Sequence, residues 1–288
     1  MTSTEGNGAL RLRIAYGPLP SQFGELHLPA SRARPGAQPS VCEGRLPVVA
    51  VLHGGWWKDN QSLRSYPTLH LVEWLARRGD VAVWNLEFRR MQAQGPNTAA
   101  PWPAVLQDVA RGLDHLRVLA DHHPIDLRRL TVVGHSAGAH LAAWSACRER
   151  LCPDSELFVA DPLRPSQVVL LAGLLCLDRW WDMEQPQQVE RLLGGPVERC
   201  EERLAQACPT RLGLPPGVSG LVMHGQADAV VSMEQALAFC ERAGPAVALC
   251  LLPGADHFGM LPKDGLVPAG WPLLQQRLDG LLRRAGPG

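Results

Sequence analysis

The chain has 288 residues, of which 46% are apolar and 19% are charged, as is typical of globular proteins and not of extensively disordered ones. Lysine plus arginine equals aspartate plus glutamate at 28 each, so the average field of the chain attracts neither nucleic acid nor an anionic membrane. This balance favours a small-molecule substrate over a polyanion. It does not indicate an oligomeric state.

Neither a secretory signal nor a membrane span is expected from the sequence. The first ten residues, MTSTEGNGAL, contain no positive segment followed by an apolar one, and no window approaches the roughly 20 apolar residues of a spanning helix. The eight cysteines are scattered, without a C-x-x-C pair or a His/Cys cluster of zinc spacing. We therefore expect a cytoplasmic protein with mostly reduced thiols and no metal, the alternative being one disulfide.

Two segments near the beginning of the chain, at 11–17 and 23–28, alternate apolar and polar residues. That alternation predicts half-exposed antiparallel strands at the edge of a sheet. The next stretch, at 31–45, is rich in Pro, Gly, Ser and Arg. Such a composition is typical of a surface loop.

From residue 47 onward, short runs that are apolar on both faces alternate with longer amphipathic stretches. The apolar runs predict strands at 48–52, 81–84, 130–133, 168–171, 221–223 and 247–252. The amphipathic stretches predict helices at 67–78, 103–120, 137–149, 233–243 and 271–284. This alternation indicates a doubly wound, mostly parallel α/β sheet with helices on both faces. No repeat or linker divides the chain, so we predict one domain over 1–288.

The connection at 175–219 is too long for a simple crossover between two strands. It contains the segment DRWWDMEQPQQVERLLGG and predicts two short helices. Ligands of open α/β sheets bind at the carboxyl ends of the strands, where this insertion begins. We therefore predict that 175–219 forms a lid over a binding site.

A G-x-S-x-G pattern, in which Gly134 and Gly138 flank Ser136, stands between a predicted strand and a predicted helix. Exposing a serine hydroxyl at such a junction requires a tight, strained turn, and glycines two residues on either side leave room for it. The pattern alone is weak, since it also occurs at ordinary turns. Its position after an apolar strand makes Ser136 the predicted nucleophile.

A serine hydroxyl needs a base, and the base needs an orienting carboxylate. In this arrangement the partners follow the serine in the order carboxylate and then histidine, each after a later strand. Asp228 and His257 have that order and that placement. Other candidates fit less well: His140 points into its helix packing, His224 directly follows a strand, and Asp256 is too close to His257 in sequence to reach its Nδ1.

Other chemistries lack their motifs. The sequence has no H-E-x-x-H pattern for a catalytic metal, no G-x-x-x-x-G-K-[ST] phosphate loop, and no G-x-G-x-x-G after the first parallel strand. Acyl transfer without a cofactor is therefore the simplest predicted chemistry.

The strand at 48–52 runs into His53, Gly54, Gly55, Trp56 and Trp57. With the serine motif and its two partners, this segment resembles the α/β-hydrolase superfamily over nearly the whole chain, 11–284. The H-G-G-x-W form, together with AVWNLEFRR at 82–90 and LAGLLCLD at 171–178, is similar to the kynurenine formamidase (arylformamidase) group and its bacterial esterase relatives. The third glycine of the H-G-G-G lipases is absent.

This resemblance implies that the backbone N–H groups of Gly55, Trp56 and Ala137 form an oxyanion hole. A backbone donor does not require glycine, so Trp56 can supply one, and losing such a donor typically costs roughly 3 to 4 kcal/mol of barrier stabilisation. His53 is then expected to hold the loop through hydrogen bonds to neighbouring backbone.

The substrate is the least constrained part of the prediction. Trp57, Trp180, Trp181, Phe258 and Met260 are candidate walls of an apolar or aromatic pocket, and ordinary core packing is the alternative for each. The predicted activity is hydrolysis of a small acyl ester or an aryl formamide. The alternatives are a broad carboxylesterase, a non-catalytic ligand receptor on the same scaffold and, with least support, a peptidase.

Overall fold

The computed structural model describes residues 2–6, 9–29 and 44–284. The predicted loop at 31–45 lies almost entirely outside these ranges. Nine strands form the sheet: β1 Thr2–Gly6, β2 Ala9–Ala15, β3 Phe23–Pro29, β4 Leu46–Leu52, β5 Ala82–Leu86, β6 Ile125–His135, β7 Gln167–Leu171, β8 Ser219–Gly225 and β9 Val247–Leu252. The described helices are α1 Thr68–Arg78, α2 Ala104–Asp114, α3 Leu116–His122, α4 Ala137–Cys147, α5 Gln187–Leu193, α6 Glu201–Ala207, α7 Pro209–Leu212, α8 Glu234–Ala243 and α9 Gly270–Arg284.

The strands lie in the order β1-β2-β3-β5-β4-β6-β7-β8-β9. The β1–β2, β2–β3 and β3–β5 pairings are antiparallel, and every other pairing in the sheet is parallel. The predicted doubly wound sheet with antiparallel edge strands is therefore confirmed. The parallel strands also bring the carboxyl ends of β4, β6, β8 and β9 to one edge, where the loops at 53–57, 136, 228 and 257 begin.

Alternate residues of the central strands divide the core between the two faces of the sheet. In β4, Val48, Ala50 and Leu52 pack on one face, whereas Val49 and Val51 pack on the other with α1 and α9. Helix α4 is buried along its whole length because its residues AGAHLAAWSAC are mostly small and apolar. It lies under the carboxyl edge and fixes the position of the turn that precedes it.

Two predicted elements differ from the structure, and one observed strand was not predicted. The amphipathic stretch at 103–120 forms two helices that meet at His115, although backbone hydrogen bonds continue through the junction. Strand β6 is longer than predicted, because Ile125 and Asp126 pair with Leu46 and Pro47 before a register shift. Strand β1 was not expected, since TSTEG has no apolar alternation.

The insertion at 175–219 contains three short α-helices, α5 to α7, and two 3-10 turns at Leu177–Asp182 and Val197–Arg199. Much of it packs against α4. The indole of Trp144 donates to the carbonyl of Gln206 at 2.9 Å, and His140 Nε2 donates to the carbonyl of Ala207 at the same distance. Within the described residues no helix combines the length and the apolar character needed to cross a membrane.

Lowering the pH from 7 to 5 is expected to destabilise the protein through His140. Burial lowers the pKa of this imidazole from 6.5 to about 4, against the opposing effect of its hydrogen bond to Ala207. The unfolded chain takes up a proton near pH 6.5, so the stability conferred by the neutral ring is complete above that pH and is lost as the pH falls toward 4. Urea titrations should show a loss of about 1.4 kcal/mol per pH unit from this group below roughly pH 6.

The variant His140→Gln provides the control, because its amide retains a donor for the Ala207 carbonyl and does not titrate. The free energy of unfolding of this variant should depend less steeply on pH than that of the wild type. Equal slopes in the two proteins would contradict the role given to His140.

Candidate functional site

Ser136 lies on a strained turn between β6 and α4. Its backbone has φ +56° and ψ −123°, a conformation that residues with a side chain rarely adopt. Its N–H donates to the carbonyl of Leu171 at 2.8 Å, which anchors the turn to β7. The residue is only 2% exposed, yet it lines a cavity at the carboxyl edge of the sheet.

Both motif glycines are required because backbone surrounds them. A Cβ on Gly134 would lie 2.1 Å from the carbonyl oxygen of Gly138. A Cβ on Gly138 would lie 2.2 Å from the carbonyl oxygen of Leu52 and 2.6 Å from that of His53. Real Cβ contacts do not reach these distances, so the turn of Ser136 and the end of β4 approach each other only with glycine at both positions.

Asp228 and His257 lie side by side on the loops after β8 and β9. His257 Nδ1 lies 2.7 Å from Asp228 Oδ2, and the Asp228 side chain is fully buried. The other carboxylate oxygen accepts the N–H groups of Val230 and Val231, both at 2.9 Å. His224 approaches the first oxygen at 3.3 Å while donating from the same Nε2 to the Val231 carbonyl.

These hydrogen bonds determine the charge of Asp228. Burial alone would raise the pKa of this carboxyl, but the hydrogen bonds from His224, His257 and the N–H of Val231 outweigh it and hold the pKa well below its usual range. An ionised carboxylate only accepts hydrogen bonds, so His257 donates from Nδ1. In the neutral ring, Nε2 then carries the lone pair that a general base needs.

A second hydrogen-bonded chain, which the sequence analysis missed, runs from Ser136 to the backbone of His257. His135 Nε2 donates to the His257 carbonyl at 2.8 Å, and the Tyr66 hydroxyl lies 2.7 Å from His135 Nδ1. Burial holds the pKa of His135 well below its usual range, so its ring is neutral and its Nδ1 accepts from Tyr66. Burial also raises the pKa of Tyr66, and a hydrogen bond from the Ser136 side chain opposes that rise.

Three consecutive residues of the loop after β4 have positive φ. Gly55 has φ +101°, Trp56 has φ +56° and Trp57 has φ +55°. The left-handed region costs roughly 1–2 kcal/mol for each residue with a side chain, so the surroundings must enforce this conformation. Within the ranges that the structure covers, the N–H groups of Gly55 and Trp56 donate to no protein acceptor. Ala137 opens α4, where the helix supplies no acceptor for its N–H.

His53 and Glu87 hold the beginning of this loop. His53 Nδ1 lies 2.9 Å from the Gly54 carbonyl and Nε2 lies 3.0 Å from Glu87 Oε1, while the ring stacks on Phe88. Glu87 also accepts the N–H of Leu63 at 3.2 Å. The loop is closed further along by Met91, whose N–H donates to the Trp57 carbonyl at 2.8 Å.

The cavity beside Ser136 has a volume of about 510 Å³. Gly55, Trp56, Tyr66, His257 and Phe258 line it together with the serine. Its other walls are mainly polar or charged and include Lys58, Asn60, Gln61, Arg64, Glu184, Gln185 and Lys263. The insertion supplies Glu184 and Gln185, and Lys58 Nζ donates to Gln185 Oε1 at 3.0 Å.

Four of the predicted aromatic or apolar pocket residues lie outside this cavity, so that part of the prediction was wrong. Trp57 is 1% exposed because its turn directs the indole into the core, edge-on to His140. Met260 is buried on the face of the sheet that packs against α1 and α9, opposite to the face on which Trp57 is buried. Trp180 and Trp181 belong to a 3-10 turn that contacts α6 and α8. Trp180 is partly buried against the core, whereas Trp181 is 61% exposed beside Met233. Phe258 does line the cavity.

No sequence pattern predicted that Tyr66 and His135 belong to the site. Tyr66 precedes α1 and reaches the serine only through the tertiary fold, and His135 is the unspecified position of the G-x-S-x-G pattern. Position 54 must be glycine to leave room for Tyr66, since a Cβ there would lie 2.4 Å from the Tyr66 hydroxyl. Glu87 belongs to the segment AVWNLEFRR, which the family resemblance had singled out without a role.

Comparisons with known proteins agree with this architecture. The BD-FAE family model matches residues 37–242. Esterase LipC of Mycobacterium tuberculosis is 26% identical over 264 residues, which cover 86% of this chain and 59% of LipC. The chain thus spans about three fifths of that relative's length.

Two solved structures show the same fold. The bifunctional GH43-CE protein of Bacteroides eggerthii has a TM-score of 0.75 and 21% identity, covering 96% of this chain and 38% of that one. Esterase B of Lactobacillus rhamnosis has a TM-score of 0.72 and 19% identity, with coverages of 96% and 87%. At such identities the likeness concerns the fold alone, and it confirms the α/β-hydrolase fold.

Replacing Gly138 by alanine is expected to destabilise the protein by about 3 kcal/mol or more, because the new methyl group meets rigid backbone. Urea unfolding monitored by circular dichroism measures this effect. Gly280→Ala is the matched control, since a Cβ at that position in α9 meets nothing within 4 Å and alanine favours the helix by up to about 1 kcal/mol. Similar stabilities for the two variants would contradict the close approach of β4 to this turn.

Tyr66→Phe is expected to slow the reaction of Ser136 with a fluorophosphonate about 10-fold, because one buried hydrogen bond to the serine and one to His135 are lost. Tyr16→Phe is the control: the chain has only two tyrosines, and the hydroxyl of Tyr16 donates to the Glu87 carbonyl at 2.7 Å instead. Both variants should lose stability, but only Tyr66→Phe should lose labelling rate per folded molecule. Equal labelling rates would show that Tyr66 has a purely structural role.

Proposed function

Since the chain belongs to the BD-FAE family, we propose that it is a serine hydrolase that cleaves small acyl esters or aryl formamides. Ser136 is the nucleophile, His257 the general base and acid, and Asp228 the residue that orients and stabilises His257. The observation that carries this proposal is the contact of 2.7 Å between the buried, ionised Asp228 and His257 Nδ1. His257 in turn lines the same cavity as Ser136, which is held on a strained turn.

The reaction follows from these positions. His257 Nε2 takes the Ser136 proton as Oγ attacks the substrate carbonyl, and Asp228 stabilises the imidazolium that forms. The N–H groups of Gly55, Trp56 and Ala137 stabilise the oxyanion. His257 returns the proton to the leaving alcohol or amine, and water then releases the acyl group from Ser136 by the same steps.

The composition of the cavity bears on the substrate class. The walls combine three aromatic side chains, those of Trp56, Tyr66 and Phe258, with a larger number of polar or charged ones. A short acyl group or aryl ring suits the aromatic part, and a polar leaving group suits the rest. An ester with a polar alcohol is thus supported at least as well as an aryl formamide, because the tryptophans expected to hold an aryl group lie elsewhere.

The relatives favour the ester. Esterase LipC and esterase B carry that activity in their names, and a broad carboxylesterase is the second candidate. A non-catalytic receptor is disfavoured, because the Asp228–His257 contact and the presence of Ser136 and His257 on one cavity support catalysis. A cytoplasmic location without nucleic-acid or membrane partners remains our expectation from composition and charge.

The decisive experiment compares kcat/KM on N-formylkynurenine and on short-chain p-nitrophenyl esters, for the wild type and for Ser136→Ala. The wild type should turn over at least one class, and Ser136→Ala should lose roughly 10⁴-fold or more in kcat. If only the formamide shows negligible turnover, the formamidase activity is excluded and the esterase activity stands. Full activity in Ser136→Ala would overturn the proposal. Circular dichroism of the variant ensures that a loss of activity reflects chemistry and not unfolding.

A further inference from the structure

Two cysteines and an aspartate lie close together within the insertion at 175–219. Cys176 and Asp178 stand near its beginning, and Cys208 stands between α6 and α7. One ligand atom from each of Cys176, Asp178 and Cys208 lies within 4.8 Å of the other two. The Cys208 thiol donates to Asp178 Oδ2 at 3.8 Å. Cys176 and Cys208 are 5% and 0% exposed, and neither forms a disulfide.

These separations fit a tetrahedral metal. Zinc binds thiolate at about 2.3 Å and carboxylate oxygen at about 2.0–2.2 Å, which places neighbouring ligand atoms roughly 3.6–3.8 Å apart. The observed distance of 3.8 Å between Cys208 Sγ and Asp178 Oδ2 is already at this value. The third donor, from Cys176, lies within 4.8 Å of both of these atoms.

The surroundings of the three donors also suit a cation. Arg211 Nε donates to Asp178 Oδ1 at 2.7 Å, so the other carboxylate oxygen faces the thiol. The N–H of Leu177 donates to Cys208 Sγ at 3.2 Å, which stabilises a thiolate. Outer partners of this kind orient metal ligands.

Charge and access agree with such a site. Two thiolates and a carboxylate around a divalent ion leave one negative charge, which Arg211 offsets, although Arg211 also pairs with the exposed Glu201. The side chains of Asp178 and Arg211 are 33% and 30% exposed, so this side opens to solvent while the sulfurs stay buried.

We propose that Cys176, Asp178 and Cys208 form a binding site for a thiophilic divalent cation of the zinc class, with solvent at the fourth position. None of the three residues lines the cavity of Ser136. The ion therefore has a structural role: it ties the 3-10 turn at Leu177–Asp182 to the beginning of α7 and so closes the base of the insertion. This site is independent of the proposed hydrolase activity.

Cd²⁺ is the probe, because cadmium thiolates absorb in the ultraviolet. The full chain, kept reduced with a phosphine and freed of metal by a chelator, is titrated with Cd²⁺. We expect charge-transfer absorption that saturates at one ion per chain, competition by Zn²⁺, and a higher Tm on binding. Cys208→Ser should lose the absorption, and Arg211→Gln should weaken binding by about 10–100-fold.

Cys152→Ser is the matched control, since Cys152 is exposed and outside the site. It should bind Cd²⁺ like the wild type. Circular dichroism verifies the fold of each variant, and native mass spectrometry should show one Cd²⁺ per chain in the wild type and in Cys152→Ser. A wild type without charge-transfer absorption, or absorption that persists when both Cys176 and Cys208 are serine, would overturn the proposal.

Discussion

The close approach of two backbone segments is the constraint on which the site depends. The turn at 134–138 passes so near the end of β4 that a single methyl group at Gly138 would overlap the Leu52 carbonyl. This contact brings the loop at 53–57 close to the turn of Ser136, and Gly55 and Trp56 line the same cavity as Ser136. The small residues of α4 extend the constraint, since they let the helix pack directly beneath the sheet edge.

Two hydrogen-bonded chains then converge on the same edge, and each has a fixed direction. In one, the ionised Asp228 accepts from His257 Nδ1 and leaves the outer nitrogen of the neutral ring without a proton. In the other, the His257 carbonyl accepts from His135, which accepts from Tyr66. Because a carbonyl and an ionised carboxylate only accept, the tautomers of both rings follow from the backbone and from Asp228. This chain thereby joins the loop that carries His257 to the turn that carries Ser136.

The sequence predicted the residues whose positions follow from the order of strands. Ser136, Asp228 and His257 each follow a strand whose apolar run is plain, and parallel strands bring such positions to one edge. Trp57 was misplaced because alternation does not reveal where a side chain points in a left-handed turn. Tyr66 has no sequence signal, since its partners His135 and Ser136 are about seventy residues away and become neighbours only on folding.

The cluster at the base of the insertion illustrates the same limit. Cys176 and Cys208 lack the short spacing that marks most zinc motifs, and the fold of the insertion between them, which includes α5 and α6, brings them together. Strand β1 is a different case: TSTEG pairs with β2 through backbone hydrogen bonds, which any polar sequence can supply. In each instance the pattern of apolar residues carried no information about the contact.

The central claim is that an ionised Asp228 fixes the proton of the neutral His257 ring on Nδ1, leaving Nε2 as the base beside Ser136. NMR of the protein labelled with ¹⁵N-histidine measures this directly, with the signal of His257 assigned by its loss in His257→Gln. We expect the neutral ring of His257 to be protonated on Nδ1, with a strongly hydrogen-bonded proton that is lost in Asp228→Ala. A neutral His257 protonated on Nε2 would contradict the account.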